Sequence, residues 1–218
     1  SVSATTGVTI NLDGVTLGIG GDAAGDTYKN FQTIYLTNLN DSVTGTSANE
    51  WFRGLGGADT INGAGGTDTV SYWGSTAVVV GLDGTAGSGG EAQGDVITNV
   101  ESLQGSQYAD TLWGGSGNNT ISGADGDDTL RGDGGNDILD GGNGLDTVTY
   151  AASSAYVAVS LLSGTGSAGD ALGDTLVSIE NLTGSNYADT LVGDANTNIL
   201  SGGAGDDLLR GGAGADTL

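Results

Sequence analysis

The sequence predicts an all-β fold, a parallel β-solenoid, and three features support this prediction. Residues 105–149 consist of five nine-residue lines that each open with glycine. The sixth place of every line holds Asp or Asn, and the eighth holds a branched aliphatic residue. Related lines recur before and after this stretch, separated by segments that lack the nine-residue period. A short repeat sustained over such a length is typical of stacked coils that contact only their neighbours.

Each line predicts a tight turn followed by a very short strand. Glycine at the first place, and in most lines also at the fourth, allows backbone angles that other residues avoid. The last three residues alternate polar, apolar, polar, so a single side chain points inward. Two lines make one coil of eighteen residues, because two turns return the chain to its starting side. Stacked coils then bury an aliphatic ladder formed by Leu112, Ile121, Leu130, Leu139 and Val148.

The chain begins with a less regular segment. Residues 1–35 contain two alternating stretches, 8–12 and 31–34, which are typical of half-buried strands. Four lines follow over residues 36–71. The first two lack the fourth-place glycine, and the second carries Glu50 where Asp is expected.

Residues 72–104 and 150–183 repeat the opening segment, so the chain contains three copies of a longer repeat. The copies are 1–71 with lines at 36–71, 72–149 with lines at 105–149, and 150–218 with lines at 184–218. We expect one continuous solenoid in which the intervening segments form wider coils. The alternative is that these segments are separate β-hairpins that flank the regular coils.

The lines resemble the GGxGxDxUx nonapeptide of the RTX proteins. This resemblance implies a right-handed parallel β-roll, with Ca²⁺ between the turns of successive coils on the same side. It implies that sixth-place carboxylates and turn carbonyls are the ligands. Such an oxygen-only set suits a hard ion of the size of calcium. The resemblance also implies a bacterial protein exported by a type I machine, whose signal would lie beyond Leu218, and an extracellular or cell-surface location.

The candidate metal ligands are the sixth-place residues. Lines with both glycines supply Asp59, Asp68, Asp128, Asp137, Asp146, Asp207 and Asp216. The other candidates are Asp41, Asp110, Asp189, Asn119, Asn198 and Glu50. Tyrosine replaces the fourth-place glycine before Asp110 and Asp189, which predicts a different turn there. Each Asp could instead cap its own turn. Residues eighteen apart should stack, and the repulsion within such a column favours a cation.

The charge of the chain supports the same prediction. It has 27 acidic residues against four basic ones, for a net charge of −23. Without counter-ions we expect such a chain to be largely disordered. Roughly eight to ten Ca²⁺ would cancel most of the charge, which is about what the turns could hold. A solvated acidic surface is the alternative, but the acids recur at fixed places in the lines.

Several other functions are disfavoured by composition. The chain has no Cys and no His, which removes disulfides, thiol chemistry and the usual general base. Since each carboxylate has a structural role, we expect that the chain is not an enzyme. No phosphate-binding Gly-rich motif is present, and the acidic charge repels nucleic acid. No run of eighteen apolar residues occurs, so we expect no membrane insertion.

We therefore expect a calcium-dependent folding and spacer module of a secreted or surface protein. The alternative is a carbohydrate-binding roll attached to a polysaccharide-modifying enzyme. Its partner would be a cell-surface glycan, with sugars stacked on Trp51, Trp73, Trp113, Tyr72 and Tyr150. When the last residues of the chain are written before its first residues, the joined sequence aligns without a gap with residues 68–84. This alignment predicts a tandem array in a longer parent, and end-to-end self-association into rods or filaments.

Overall fold

A computed structural model describes residues 5–218, and the first four residues of the first predicted copy lie outside the described part. The chain divides into two compact units, Ser1–Ser106 and Gln107–Leu218. The described residues form short strands and 3₁₀ turns with no α-helix, which confirms the all-β class. In this part of the chain no helix is long and apolar enough to cross a membrane. Since the unit boundary falls inside the second predicted copy, one continuous solenoid stays a prediction.

The first unit is built from short parallel strands. They are β1 (Thr9–Asn11), β2 (Thr33–Tyr35), β3 (Ser42–Thr44), β4 (Trp51–Arg53), β5 (Thr60–Asn62), β6 (Thr69–Ser71), β7 (Val79–Gly81), β8 (Val96–Thr98) and β9 (Ser102–Gln104). Strands β1, β3, β5 and β8 pair in that order. Strands β2, β4, β6 and β9 form the second ladder. Consecutive lines therefore alternate between two ladders, as a coil made of two lines requires.

The second unit repeats this plan. Its strands are β10 (Thr111–Gly115), β11 (Thr120–Asp125), β12 (Thr129–Asp133), β13 (Ile138–Asn143), β14 (Thr147–Thr149), β15 (Ala158–Ser160), β16 (Thr165–Gly166), β17 (Thr175–Val177), β18 (Asn181–Thr183), β19 (Thr190–Val192), β20 (Ile199–Ser201) and β21 (Leu208–Arg210). One parallel ladder runs through β10, β12, β14, β18 and β20. The others are β11–β13–β17 and β15–β19–β21.

The strand register builds the core predicted from the eighth place of the lines. Leu112 pairs with Leu130, and Leu130 pairs with Val148. On the other ladder Ile121 pairs with Leu139. All five side chains are completely buried, with an exposure of 0 %. The predicted aliphatic ladder is therefore confirmed.

The intervening segments form wider coils. Thr60 pairs with Val96, and the amide of the preceding Asp59 bonds to a residue 36 positions on, twice the regular spacing. Within these segments the chain makes a short antiparallel detour, for example Val159 with Gly166. A 3₁₀ turn follows in each of them, at Gly21–Ala23, Gly90–Ala92 and Gly169–Ala171. The predicted wider coils are confirmed, and the hairpin alternative describes only the detour inside them.

Candidate metal centre

The opening glycine of each line leaves room for the sixth-place side chain. A Cβ on Gly123 would overlap Oδ2 of Asp128, and one on Gly132 would overlap Oδ2 of Asp137. Neither glycine has a positive φ, so the expectation that opening glycines serve unusual backbone angles is wrong. They are needed because the carboxylate folds back against the backbone of its own turn. The same overlap occurs in six further lines with Asp at the sixth place, at Gly54, Gly63, Gly141, Gly184, Gly202 and Gly211.

Left-handed backbone conformations occur instead at the second and fourth places. Gly126 and Gly135, both fourth, have φ of 122° and 131°. Ala124 and Asp133, both second, have φ of 82° and 62°, although they carry side chains. This conformation is unfavourable for residues other than glycine. The expectation for the fourth-place glycine is confirmed in most lines, but Gly117 and Gly144 have no positive φ.

The sixth-place residues form columns from coil to coil, as the eighteen-residue spacing predicts. The backbone N–H of Asp110 donates to Oδ1 of Asp128 at 2.7 Å, and that of Asp128 donates to Oδ1 of Asp146 at 2.8 Å. Further pairs of the same kind are Asp41–Asp59, Glu50–Asp68, Asn119–Asp137, Asp189–Asp207 and Asn198–Asp216. One oxygen of each accepting carboxylate is thus held by a neighbouring coil.

The second oxygen of five carboxylates has no hydrogen-bond partner among the described residues, although it is buried. These oxygens are Oδ2 of Asp59, Asp68, Asp128, Asp137 and Asp146. All five belong to lines with both glycines. A buried carboxylate without a partner for one oxygen carries a large desolvation cost, unless a proton or a cation compensates it.

Burial has a direct effect on the acidity of these groups. It raises the pKa of Asp59, Asp128 and Asp137 to about 7, against a backbone hydrogen bond that lowers it. It likewise raises the pKa of Asp68 and Asp146 to about 6. Neighbouring carboxylates raise these values further. Protons and cations therefore compete for the same oxygens near neutral pH.

Five lines that lack the full motif close the turn on themselves. In these lines the second-place N–H donates to the sixth-place side chain, from Ser185 to Asp189 at 2.5 Å and from Gly115 to Asn119 at 2.9 Å. The same bond occurs at Asp41, Glu50 and Asn198. The self-capping alternative is therefore realised in these turns. At Tyr187, which precedes Asp189, the fourth place has no positive φ, as predicted.

Asp207 and Asp216 occupy the same place in the last lines of the chain. Each accepts a backbone N–H from the preceding coil, from Asp189 at 2.9 Å and from Asn198 at 3.0 Å. Both residues are half-buried rather than buried. The structure thus places every predicted candidate in a turn, and separates open turns from self-capped ones.

The oxygen atoms at the open turns are suitable ligands for a hard cation. In the described residues no three acidic side chains converge, so carboxylates alone do not form a cage. Each turn adds backbone carbonyls, for example that of Gly141 beside Asp128 Oδ2 at the Cβ position of Gly123. The set contains only oxygen, because the chain has no His or Cys. Calcium accepts six to eight such ligands in flexible geometry.

Comparison with known protein families also indicates calcium binding. The chain matches the RTX calcium-binding nonapeptide repeat in four copies, at residues 37–74, 99–130, 113–148 and 183–218. These ranges cover more than half of the sequence. The chain belongs to the RTX family. It is a calcium-binding repeat module, and its turns are RTX turns. A comparison with curated proteins returned no match.

Four acidic residues outside the RTX nonapeptides join the same columns, and sequence reasoning missed them as site residues. Asp95 accepts the N–H of Asp59 at 2.8 Å, and Glu101 accepts that of Asp68 at 2.9 Å. In the second unit Asp174 and Glu180 do the same for Asp137 and Asp146, at 2.9 Å and 2.8 Å. The signal was present, because these residues recur at matching places in the long repeat.

Two buried tyrosines bond to these added column members. The hydroxyl of Tyr72 donates to Oδ2 of Asp95 at 2.8 Å, and that of Tyr150 donates to Oδ2 of Asp174 at 2.9 Å. Tyr72 and Tyr150 are only 1 % and 2 % exposed. Their suggested role in sugar stacking is therefore wrong, because their rings lie inside the RTX coils.

Proposed function

We propose that this RTX chain is a calcium-dependent folding module of a secreted or cell-surface protein, where it serves as a structural spacer. The observation that carries the proposal is the set of five buried Oδ2 atoms, stacked in columns, that have no hydrogen-bond partner in the part of the chain that the structure describes. Calcium would bond to these oxygens and to the turn carbonyls. The residues expected to hold it are Asp59, Asp68, Asp128, Asp137 and Asp146, with Asp207 and Asp216 in the last lines.

The charge of the chain explains why folding should depend on the ion. The chain contains only four basic residues and 27 acidic ones. Two of the four already pair locally, Arg53 with Glu91 at 3.2 Å and Arg131 with Asp133 at 2.8 Å. The columns must therefore find positive charge elsewhere, and binding to the folded state alone stabilises that state. At low free Ca²⁺ the chain stays unfolded, and at extracellular Ca²⁺ it folds.

A secreted location agrees with this dependence. RTX repeats are typical of secreted bacterial proteins, and a chain that stays unfolded at low calcium can be exported before it folds. Metal binding then supplies the folding free energy outside the cell. The spacer role follows from an architecture in which each coil contacts mainly its neighbours.

Calcium removal tests the proposal. Circular dichroism of the purified chain at pH 7.5 should show β structure in millimolar CaCl₂ and a coil-like spectrum after EGTA. Added CaCl₂ should restore the β signal, whereas MgCl₂ should restore it poorly, because magnesium demands a tighter octahedral set. A chelated chain that keeps both its β spectrum and its melting temperature would refute the proposal.

Carbohydrate binding is a second candidate, supported by aromatic side chains in the first unit. The rings of Tyr35 and Trp51 lie 5.4 Å apart, and Tyr35 is 61 % exposed. Beside them a cavity of about 210 Å³ is lined by Tyr28 and Phe31 among others. Exposed aromatic rings are suited to stacking on sugars. A glycan array in CaCl₂, with Tyr35→Ala as the comparison, tests this candidate, and no binding to any glycan would remove it.

A further inference from the structure

We propose that each wide coil contributes a calcium site of its own, formed by Asp68 with Glu101 in the first unit and by Asp146 with Glu180 in the second. These sites lie where a nonapeptide turn faces a turn that is not a nonapeptide. The inference rests on the proposed function, that is, on calcium binding by the RTX turns. It adds two ligands, Glu101 and Glu180, that the nonapeptide pattern does not contain.

The register shows that Glu101 stands where a sixth-place Asp would stand. Ser102, the next residue, pairs with Thr69, which is a seventh-place residue. Glu101 Oε2 accepts the N–H of Asp68 at 2.9 Å, as Oδ1 of a regular Asp does. Glu180 has the same relation to Asp146, at 2.8 Å. The wide coil therefore continues the column with a glutamate.

A shortened turn explains why glutamate is used. Gly63 N–H donates to the carbonyl of Thr98 at 3.1 Å, as Gly45 N–H donates to that of Asn62 at 2.8 Å. Asn99 therefore takes the place of an opening residue, and only Val100 separates it from Glu101. Asn99 adopts φ of 51°, and Ser178 adopts φ of 50° at the matching place. The extra methylene of Glu restores the reach that the shorter turn loses.

Oxygen atoms converge at these junctions as they do between regular coils. At Gly63, the carbonyl oxygen of Asn99 and Oδ2 of Asp68 both approach the position of a missing Cβ. At Gly141, the carbonyl oxygen of Ser178 and Oδ2 of Asp146 do the same. Between regular coils, the carbonyl of Gly141 and Oδ2 of Asp128 meet in this way at Gly123. The wide coil thus presents a carbonyl where a nonapeptide coil presents one.

The unpaired oxygens lie in the interior. Asp68 and Asp146 are both 0 % exposed, and Oδ2 of each has no hydrogen-bond partner among the described residues. Each of these oxygens faces a carbonyl from the next coil, and a second carboxylate follows two residues after that carbonyl. Oxygen acceptors without a donor between them repel one another, and a divalent cation converts that repulsion into coordination.

The opposite side of each wide coil is built differently. There the column residues are Asp95 and Asp174, whose Oδ2 atoms accept the hydroxyls of Tyr72 and Tyr150. The three atoms nearest the Cβ position of Gly54 all belong to Asp59 of its own line, and none is a carbonyl oxygen of the wide coil. Both carboxylate oxygens of Asp95 and of Asp174 thus accept hydrogen bonds. An ion held by Oδ2 of Asp59 or Asp137 would therefore take no unpaired carboxylate oxygen from the wide coil. We place its ion on the glutamate side only.

Ion counting on matched variants tests this inference. Equilibrium dialysis with ⁴⁵Ca²⁺ at pH 7.5 should show one ion fewer for Glu101→Gln and for Glu180→Gln, and two fewer for the double variant. The glutamine keeps an acceptor for the N–H but loses the charge. Asp95→Asn and Asp174→Asn are the matched controls on the tyrosine side and should bind the wild-type number. Circular dichroism in CaCl₂ checks that each variant is folded.

The outcomes separate this inference from the proposed function. If the wild-type chain binds no calcium, both fail. If the wild type binds calcium and the double glutamine variant binds the same number of ions, only the wide-coil sites fail. An anomalous difference map of calcium-loaded wild-type crystals decides the matter should a variant not fold. A peak about 2.3–2.6 Å from Asp68 Oδ2 and from a Glu101 oxygen supports the site. A density peak at Tyr72–Asp95 instead would overturn it.

Discussion

Two glycines of one turn, Gly132 and Gly134, should respond oppositely to alanine. At Gly132 a Cβ would overlap Oδ2 of Asp137, with Cγ of the same residue at 2.8 Å. The carboxylate would have to move on the order of 1 Å to reach ordinary van der Waals separation. Its Oδ1 accepts the N–H of Asn119 at 2.8 Å, and that bond would be lost. A buried hydrogen bond to a charged group contributes about 1.5–3 kcal/mol. Gly132→Ala should therefore destabilise the calcium-loaded chain by about 2–3 kcal/mol.

Gly134 is the control in the same line. A Cβ there meets no atom within 4 Å, and its φ is not positive. Gly134→Ala should be neutral or stabilise by about 0.4–1 kcal/mol, through the entropy of the unfolded chain. Urea unfolding in saturating CaCl₂, followed by circular dichroism, measures both. With a slope of about 2–3 kcal/mol per molar urea, the midpoint of Gly132→Ala should fall by about 1 M. Equal midpoints for the two variants would refute the role assigned to the opening glycine.

Three further predictions follow from the columns and the core. Asp128→Ala should weaken two neighbouring calcium sites, because Asp128 pairs with a coil on either side. Asp41→Ala should weaken calcium binding much less, because the turn of Asp41 caps itself. Indistinguishable calorimetric calcium titrations of the two variants would contradict this. In the folded chain the pKa of Asp128 and Asp137 is about 7, above the ordinary value of 3.8. The folded state therefore holds these protons more tightly than the unfolded state. The resulting stabilisation of the calcium-free chain is fully present below pH 3.8 and is lost as the pH rises through 7. The EGTA-treated chain should thus show more β signal at pH 4 than at pH 8, and an unchanged spectrum counts against it. Leu139→Ala, at a fully buried site, should cost about 2–5 kcal/mol in thermal unfolding, and the exposed neighbour Ile138→Ala far less.

The regular lines could be predicted from sequence because their positions are set by stacking. Once each line is nine residues long, the eighth-place side chain and the sixth-place carboxylate must meet their counterparts eighteen residues on. Leu130 over Leu112 and Asp128 over Asp110 follow from that spacing alone. Whether these carboxylates bind calcium, how many ions bind, and whether the chain self-associates or contacts glycans remain predictions.

The wide coils could not be predicted in the same detail. Tyr72 reaches Asp95 across 23 residues that contain a detour and a 3₁₀ turn, so no fixed spacing reveals the contact. The aromatic ring was therefore interpreted as a surface feature, although it fills the coil interior. The role of Gly132 was missed for a related reason, since the sequence does not show that a side chain folds back onto it.

The Tyr72–Asp95 hydrogen bond lies within the protein, so it stabilises one side of the wide coil at any calcium concentration. On the other side, Asp68 faces Glu101 through oxygens whose attraction depends on an added cation. Removal of calcium should therefore loosen this coil asymmetrically, with backbone amides near Glu101 exchanging with solvent before those near Asp95. A chain that lost this ion would keep a folded edge there, and refolding would start from that edge without the entropy cost of closing the loop again.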